Sequence, residues 1–399
     1  MSTKTCFPMI QVGVEVVEFT FATAGRIVFG PGSLGHLGQW VAENGRRALI
    51  VTGNAVQRTK PVFDQIESAG VAIDSLRVIS EPTVDLVREW AEQARRSGYD
   101  VVIGCGGGSA MDAAKAIAIM ATNPGDPLDY LEVIGRGRAL TNPGLPVAAI
   151  PTTAGSGAEA TRNAVLAASE QGVKVSLRSP HILPRLALVD PLLTHSMPPD
   201  VTAATGLDAL TQLIEAFTTN RSNPVSDGLC REGLRRGAAC ILSAYHTGDA
   251  KSREGMALAS LLSGLGLANS GLGAVHGLAG PIGGRFSAPH GAVCASLLPQ
   301  AMAVNLRAME ERAPACETLQ RYREIAVLLT GRDGARAMDG IEWISETCDE
   351  LMIPPLRSYA IGVEAFPDLI EAAEGSSSMR GNPIRLERDE MQEILELAL

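Results

Sequence analysis

Asp100-Val101-Val102-Ile103-Gly104-Cys105-Gly106-Gly107-Gly108-Ser109-Ala110-Met111-Asp112-Ala113-Ala114-Lys115 is the stretch that decides the fold. Asp100–Gly104 reads as a strand, and the glycines that follow read as a turn. Ser109 and Asp112 form a Ser-x-x-Asp pattern, which predicts a helix starting there with Ser109 at its cap. Glycines directly before a helix N-terminus let backbone N–H groups approach a phosphate, and the helix dipole favours the anion. The spacing is neither Gly-x-Gly-x-x-Gly nor a Walker loop, so a plain flexible turn is the alternative.

The same alternation extends upstream. Phe19-Thr20-Phe21 and Arg26–Phe29 read as short strands, and Ser33 as the cap of a helix reaching Asn44. Arg47–Thr52 is a run suited to a buried parallel strand. A helix is expected around Lys60–Ala69, a strand over Val71–Val78 and a helix over Thr83–Ser97, where Thr83 and Asp85 suit its start. Downstream, Pro146–Pro151 reads as a further strand. It leads into a hydroxyl-rich loop, Thr152-Thr153-Ala154-Gly155-Ser156-Gly157, that could touch a cofactor or be a loop only. Lys174–Leu177 and Leu186–Val189 also read as strands, and Asp190-Pro191 ends the pattern. Strand–helix alternation implies an α/β unit with a parallel, Rossmann-like sheet covered by helices on both faces.

After Met197-Pro198-Pro199 the signal is mainly helical, over 200–245, 253–270 and 301–329, with a last helix from about Leu386 to the end. The boundary falls near His195. Within the helical half, Thr205-Gly206-Leu207-Asp208-Ala209-Leu210-Thr211-Gln212-Leu213-Ile214-Glu215 places Asp208 and Gln212 four apart, on one helix face. His276 and His290 follow, each among small residues. One carboxylate and two imidazoles make a plausible divalent-metal set. The other reading is that Asp208 pairs locally and the histidines are satisfied in the core.

Composition narrows the function. The chain has 399 residues, 46% hydrophobic and 20% charged, which suits a soluble multi-domain enzyme and excludes extended disorder. A net charge of −10 argues against a nucleic-acid backbone as partner. Seven scattered cysteines (Cys6, Cys105, Cys230, Cys240, Cys294, Cys316 and Cys348) without a Cys-x-x-Cys pair suggest reduced thiols in the cytoplasm. The N-terminus, with Lys4 and no long apolar run before Glu15, is not expected to be a signal peptide. Met256–Gly284, whose only ionisable side chain is His276, passes a crude length rule for a membrane span. Its many small residues point instead to closely packed helices around a site.

Taken in order, Gly106-Gly107-Gly108-Ser109 with Asp112 and Lys115, Pro151-Thr152-Thr153 with Gly155 and Ser156, Asp190-Pro191, Thr205–Leu210, His276 and Pro289-His290-Gly291 resemble the iron-containing alcohol dehydrogenase family, which has the dehydroquinate synthase-like fold. The resemblance runs from Phe19 to Asn382-Pro383. It implies a dinucleotide-binding α/β domain over residues 1–194 and an all-helical metal- and substrate-binding domain over 195–399. The implied activity is hydride transfer between NAD or NADP and a small alcohol or aldehyde, in a homodimer or larger homo-oligomer. Carried over by position, the resemblance assigns Gly107, Gly108, Ser109 and Asp112 to the cofactor phosphates. Thr152, Thr153 and Ser156 fall in its second cofactor loop, and Lys174 matches a cofactor-contacting lysine. It gives Asp208, Gln212, His276 and His290 as ligands of iron or zinc, through which Asp208, His276 and His290 would be catalytic.

This chain departs from the family pattern in three places. Gln212 stands where the family has a third metal-binding histidine, and an amide oxygen is a weaker donor than imidazole towards iron or zinc. Gly280 stands where many members carry a further histidine assigned to proton relay. Gly53, followed by Asn54, stands where NAD-preferring members have an aspartate for the ribose hydroxyls. Without that carboxylate a 2′-phosphate is not repelled, and Arg58 or Lys60 could reach it, so NADP is favoured and NAD kept. Related alternatives are a dehydroquinate synthase or glycerol dehydrogenase relative and a maleylacetate reductase-like enzyme for a carboxylated substrate. A nucleotide-binding relative that has lost its metal and its catalysis is the alternative from outside the enzymes.

Overall fold

The computed structural model describes residues 18–168 and 173–399. The readings on Cys6 and on the segment from Lys4 to Glu15 lie outside the described residues. The N-terminal half is built from β1 (Arg26–Phe29), α1 (Leu37–Asn44), β2 (Arg47–Thr52), α2 (Val56–Ser68), β3 (Ala72–Arg77), α3 (Val84–Ser97), β4 (Val101–Gly106), α4 (Gly108–Thr122), β5 (Val147–Pro151), β6 (Asn163–Ala168), β7 (Val173–Arg178) and β8 (Leu186–Val189). Helices then take over: α5 (Pro199–Thr218), α6 (Pro224–His246), α7 (Ala250–Ser270), α8 (Ala274–Arg285), α9 (His290–Arg312), α10 (Thr318–Thr330), α11 (Ala337–Glu350), α12 (Phe366–Glu374) and α13 (Arg388–Leu397).

Six strands form one parallel sheet in the order β1-β8-β5-β4-β2-β3. The central strands β4, β5 and β8 are buried along their whole length, as expected of strands with helices on both faces. From β2 the chain steps outward to β3 and then back across to β4. The carboxyl ends of β2 and β4 therefore flank a topological switch point, where open α/β sheets form their ligand crevice.

Local chemistry explains the element ends. Thr83 caps α3 by accepting the Leu86 N–H, Arg95 and Arg96 lie in its last turn, and Gly98 ends it in the left-handed conformation. Helix α6 starts at Pro224 behind Asn223, whose side chain accepts from the Val225 and Ser226 N–H groups. Three expected elements differ. Phe19–Phe21 is not a strand; the chain next to it is held by Asn269, whose amide exchanges hydrogen bonds with the Ala22 N–H and C=O. Lys174 lies in a strand, but β7 pairs antiparallel with β6 in a separate two-stranded sheet. Ser33 does not cap the helix ending at Asn44: its hydroxyl donates to the Val189 carbonyl, and Gly32 precedes the short 3-10 turn that leads into α1.

No single helix among the described residues is long and apolar enough to cross a membrane. The stretch over Met256–Gly284 forms most of α7 and all but the last residue of α8; the two helices meet at 99° and both bury residues in the helical core. That core also takes in Ala154, Ala160 and Val189 at the edge of the α/β half, whose other buried apolar residues form separate clusters.

One close approach between the halves is main chain on main chain. Gly157 lies at φ +59, and a Cβ there would sit 2.4 Å from the Gly264 Cα of α7. Gly157→Ala should therefore destabilise the protein by at least ~3 kcal/mol, from over-packing and left-handed strain together. Gly334→Ala, with open space around its Cβ, should be near neutral. Equilibrium urea unfolding of both variants reads this directly, and equal stability would mean that the approach of α7 is not constrained.

Candidate active site

Three loops meet at the carboxyl ends of β2, β4 and β5. The Thr152 N–H donates to the Gly106 carbonyl at 2.9 Å. A Cβ on Gly106 would lie 3.1 Å from the Gly53 nitrogen, one on Gly107 3.6 Å from Thr153 Oγ1, and one on Gly108 3.2 Å from Ser156 Oγ. Gly53, Gly107, Gly108, Thr152, Thr153 and Ser156 are thus brought together. Ser109 is not the helix cap: α4 opens one residue earlier, with Gly107 in extended conformation at the cap and no side chain on the first-turn N–H groups. An uncapped first turn at the mouth of a crevice suits an anionic ligand better than the expected self-capped one.

Asp112 does not join this group. Its carboxylate accepts the Val165 N–H at 3.0 Å and pairs with Lys115 Nζ at 2.9 Å, while that ammonium also donates to the Ala158 carbonyl and Thr161 Oγ1. Burial raises the Asp112 pKa, and Lys115 opposes the rise. The pair fastens α4 to the loop behind the crevice. The residues proposed for cofactor choice also divide. Nothing lies within 4 Å of where a Cβ on Gly53 would be. Asn54 donates its amide to the Ile79 carbonyl. Arg58 donates to the Thr152 carbonyl, and Lys60 is held by Asp64 on an exposed face of α2. The cation beside Gly53–Asn54 is Arg77, at the end of β3, which reaches the Asn54 carbonyl at 3.4 Å. Lys174 faces α8 across the boundary: its Nζ is 3.2 Å from Glu81 and would be 3.2 Å from a Cβ on Gly283.

The helical half brings a second set of groups together. Asp208, His276, His290 and Cys294 each offer one ligand atom, and these atoms lie within 4.8 Å of one another. Asp208 Oδ1 is 3.5 Å from His276 Nε2 and 3.8 Å from His290 Nε2. It is buried and has no hydrogen-bond partner among the described residues. Its other oxygen accepts from the Gln212 amide nitrogen at 3.0 Å, and the Gln212 amide oxygen accepts from the Ser263 hydroxyl at 2.7 Å. The spacing does place Gln212 on the Asp208 face, and in this structure its amide oxygen is engaged by Ser263 of α7.

Glu215, one further turn along α5, accepts the Val275 N–H at 2.7 Å and holds His276 Nδ1 at 2.6 Å. That bond fixes the imidazole with Nε2 towards Asp208. The His290 side chain is 41% exposed whereas those of His276 and Asp208 are 8% and 7%, so the cluster opens on the His290 side. A Cβ on Gly280 would likewise meet nothing within 4 Å.

These donors fit a divalent cation. A buried carboxylate oxygen without a proton donor, facing two imidazole nitrogens, is costly unless positive charge sits beside it. Oxygen and imidazole donors together suit zinc, iron and their neighbours.

The comparisons with known proteins agree. The family model "Iron-containing alcohol dehydrogenase" matches residues 24–191, and "Fe-containing alcohol dehydrogenase family, C-terminal" matches residues 202–399. The chain belongs to the iron-containing alcohol dehydrogenase family. Lactaldehyde reductase of Escherichia coli (strain K12) is 34% identical over 93% of this chain and 97% of its own length. The crystal structure of a 1,3-propanediol oxidoreductase superposes with a TM-score of 0.89 at 31% identity, covering 96% of this chain and 100% of that one. Sulfoacetaldehyde reductase from Bifidobacterium kashiwanohense, solved in complex with NAD+, gives 0.82 at 26% identity, with 96% and 98% covered. This iron-containing alcohol dehydrogenase family member is an oxidoreductase acting on alcohols.

Two site residues escaped the sequence reading. Glu215 closed the quoted Thr205–Glu215 stretch without a role, although the spacing Asp208, Gln212, Glu215 puts three polar side chains on one buried helix face. Cys294 was read only as one thiol among seven, although His290-x-x-x-Cys294 is an i, i+4 pair once α9 begins at His290.

The structural role of the Asp112–Lys115 pair can be separated from cofactor binding. Lys115→Met, which strands a buried carboxylate, should lower the unfolding free energy by about 3 kcal/mol and leave dinucleotide affinity unchanged. Urea unfolding and titration calorimetry measure the two. Unchanged stability with lost affinity would return Asp112 to the cofactor site.

Proposed function

We propose that the protein is an NAD(P)-dependent, divalent-metal alcohol dehydrogenase acting on small alcohols and aldehydes. The observation that carries this reading is the unpaired Asp208 Oδ1 between two imidazoles. Support comes from the glycine-lined crevice at the sheet's switch point and from relatives named for lactaldehyde, 1,3-propanediol and sulfoacetaldehyde.

Asp208, His276 and His290 would hold the metal. A divalent ion there supplies a Lewis acid that polarises an aldehyde carbonyl or acidifies an alcohol. The chain does the rest by positioning. Glu215 keeps His276 turned inward, and Gln212 keeps Asp208 from rotating away. The uncapped first turn of α4 and the Thr152–Ser156 loop would receive the cofactor pyrophosphate. Burial of Asp208 and His276 excludes water from one side, so substrate would enter past His290 and Gly280. With glycine at 280, no side chain at that position moves the proton.

NADP is the proposed cofactor preference. The space at Gly53 is open, and Arg77 lies against the neighbouring Asn54 carbonyl. Both features would accommodate a 2′-phosphate. A spectrophotometric screen of short aldehydes, alcohols and a carboxylated ketone, with both cofactors and with added iron or zinc, tests the reading. Turnover that disappears after chelation and returns with metal supports it, and metal-independent turnover would end it.

Two variants sharpen the cofactor assignment. Gly53→Asp should move the ratio of kcat/KM towards NAD, because a carboxylate repels the 2′-phosphate. An unmoved ratio would mean that residue 53 is not beside the ribose. Gly108→Val should weaken dinucleotide binding in calorimetry, since a Cβ there already approaches Ser156, while thermal unfolding changes little. Unchanged affinity would remove the α4 N-terminus from the cofactor site.

A further inference from the structure

We propose that Cys294 is a thiolate ligand of the metal and that Gln212 orients Asp208 from behind, so that this chain uses a carboxylate, two imidazoles and one sulfur. The inference rests on the metal reading above and changes which metal the site selects.

The geometry comes from α9. His290 and Cys294 are one turn apart and face the same way, and the Cys294 Sγ lies 3.6 Å from His290 Nε2 and 3.9 Å from His276 Nε2. With the two Asp208–imidazole distances of 3.5 and 3.8 Å, four of the edges between donors are fixed. Metal–donor bonds of about 2.0–2.3 Å predict tetrahedral edges of roughly 3.3–3.8 Å. The cluster is therefore close to the spacing a four-coordinate ion requires. No other hydrogen-bond partner than these imidazoles is present for Cys294 Sγ among the described residues. The contrast with Cys348 is informative, since its sulfur bonds to the Ala295 carbonyl and serves packing.

A second observation points to the same ion. Asp208 is only 5% exposed, yet its Oδ1 has no hydrogen-bond partner among the described residues and faces the two imidazoles of the cluster. Gln212 cannot complete the set, because its oxygen is engaged by Ser263 and its nitrogen donates to Asp208. The fourth corner that the family fills with histidine from α5 is filled here from α9.

A thiolate changes the metal chemistry. It is a soft donor that favours zinc over iron(II), manganese or magnesium. With Asp208 it also gives two anionic donors, which neutralise a divalent charge within a buried pocket and temper its Lewis acidity.

The test is to strip the full-length protein with a chelator, reload it with Co2+ and record its absorption. Wild type should show an intense near-ultraviolet sulfur-to-cobalt charge-transfer band together with the visible bands of tetrahedral cobalt. Cys294→Ser should lose the near-ultraviolet band. Gln212→Ala should keep it, with metal affinity reduced by about 10–100-fold as expected for a group that orients a ligand. Should Cys294→Ser fail to fold, zinc-edge X-ray absorption of the wild type decides, with one sulfur expected at about 2.3 Å. Cobalt bound without a charge-transfer band, or zinc without a sulfur neighbour, would overturn the Cys294 assignment and leave the metal reading standing. A wild type that binds neither metal would overturn both.

Discussion

A carboxylate taken out of water must be given its counter-charge and hydrogen bonds by the protein, and the helical half is arranged around that requirement at Asp208. One oxygen is served by Gln212, which is itself anchored to Ser263 on α7. The other is left facing His276, on α8, and His290, on α9. Four helices thus converge on one buried charge. Glu215 extends the arrangement, since its two oxygens hold the His276 ring and the first turn of α8. Glycine at 266 of α7, where a Cβ would lie 3.5 Å from the Ala216 Cβ of α5, lets these two helices approach closely.

The α/β half satisfies a different requirement, that of main-chain N–H groups left free to meet an anion. Glycines at 106, 107 and 108 keep side chains out of the crevice, and α4 starts without a side-chain cap. The charges in this half are largely diverted to structure. Asp112 and Lys115 neutralise one another behind the crevice, and Arg58 ties the Thr152 loop to α2. Arg77 is the cation left at the β2 end. The crevice is therefore lined mainly by backbone, with the Arg77 charge at one edge.

Much of this was legible in the residues. The apolar run Arg47–Thr52 became β2 with the same limits, and Thr83 caps α3 as its position suggested. Asp208, His276 and His290 were read as one set and do converge. What was not legible depended on details that spacing does not carry. The Ser109–Asp112 pattern looked like a cap, but Asp112 found Lys115 and Val165, and the helix began at Gly108. The strand β6, Asn163–Ala168, is alanine-rich and carries only one β-branched residue, Val165, to mark it. Gln212 occupies the expected helix face, and only the orientation of its amide shows that its oxygen points away. Cys294 needed the exact start of α9, because a helix beginning at Ala301 would have left it on a loop.

The contact between Gly157 and Gly264 also bears on how this chain can vary. Each position meets the main chain of the other, not a side chain. A substitution at one cannot be compensated by a smaller residue at its neighbour, because nothing smaller exists. Second-site suppressors would have to shift α7 as a body, and with it Ser263, which anchors Gln212 behind Asp208. The loop that carries Ser156 and the helix that steadies the Asp208 carboxylate are therefore tied at this one point, and a change at either glycine moves both.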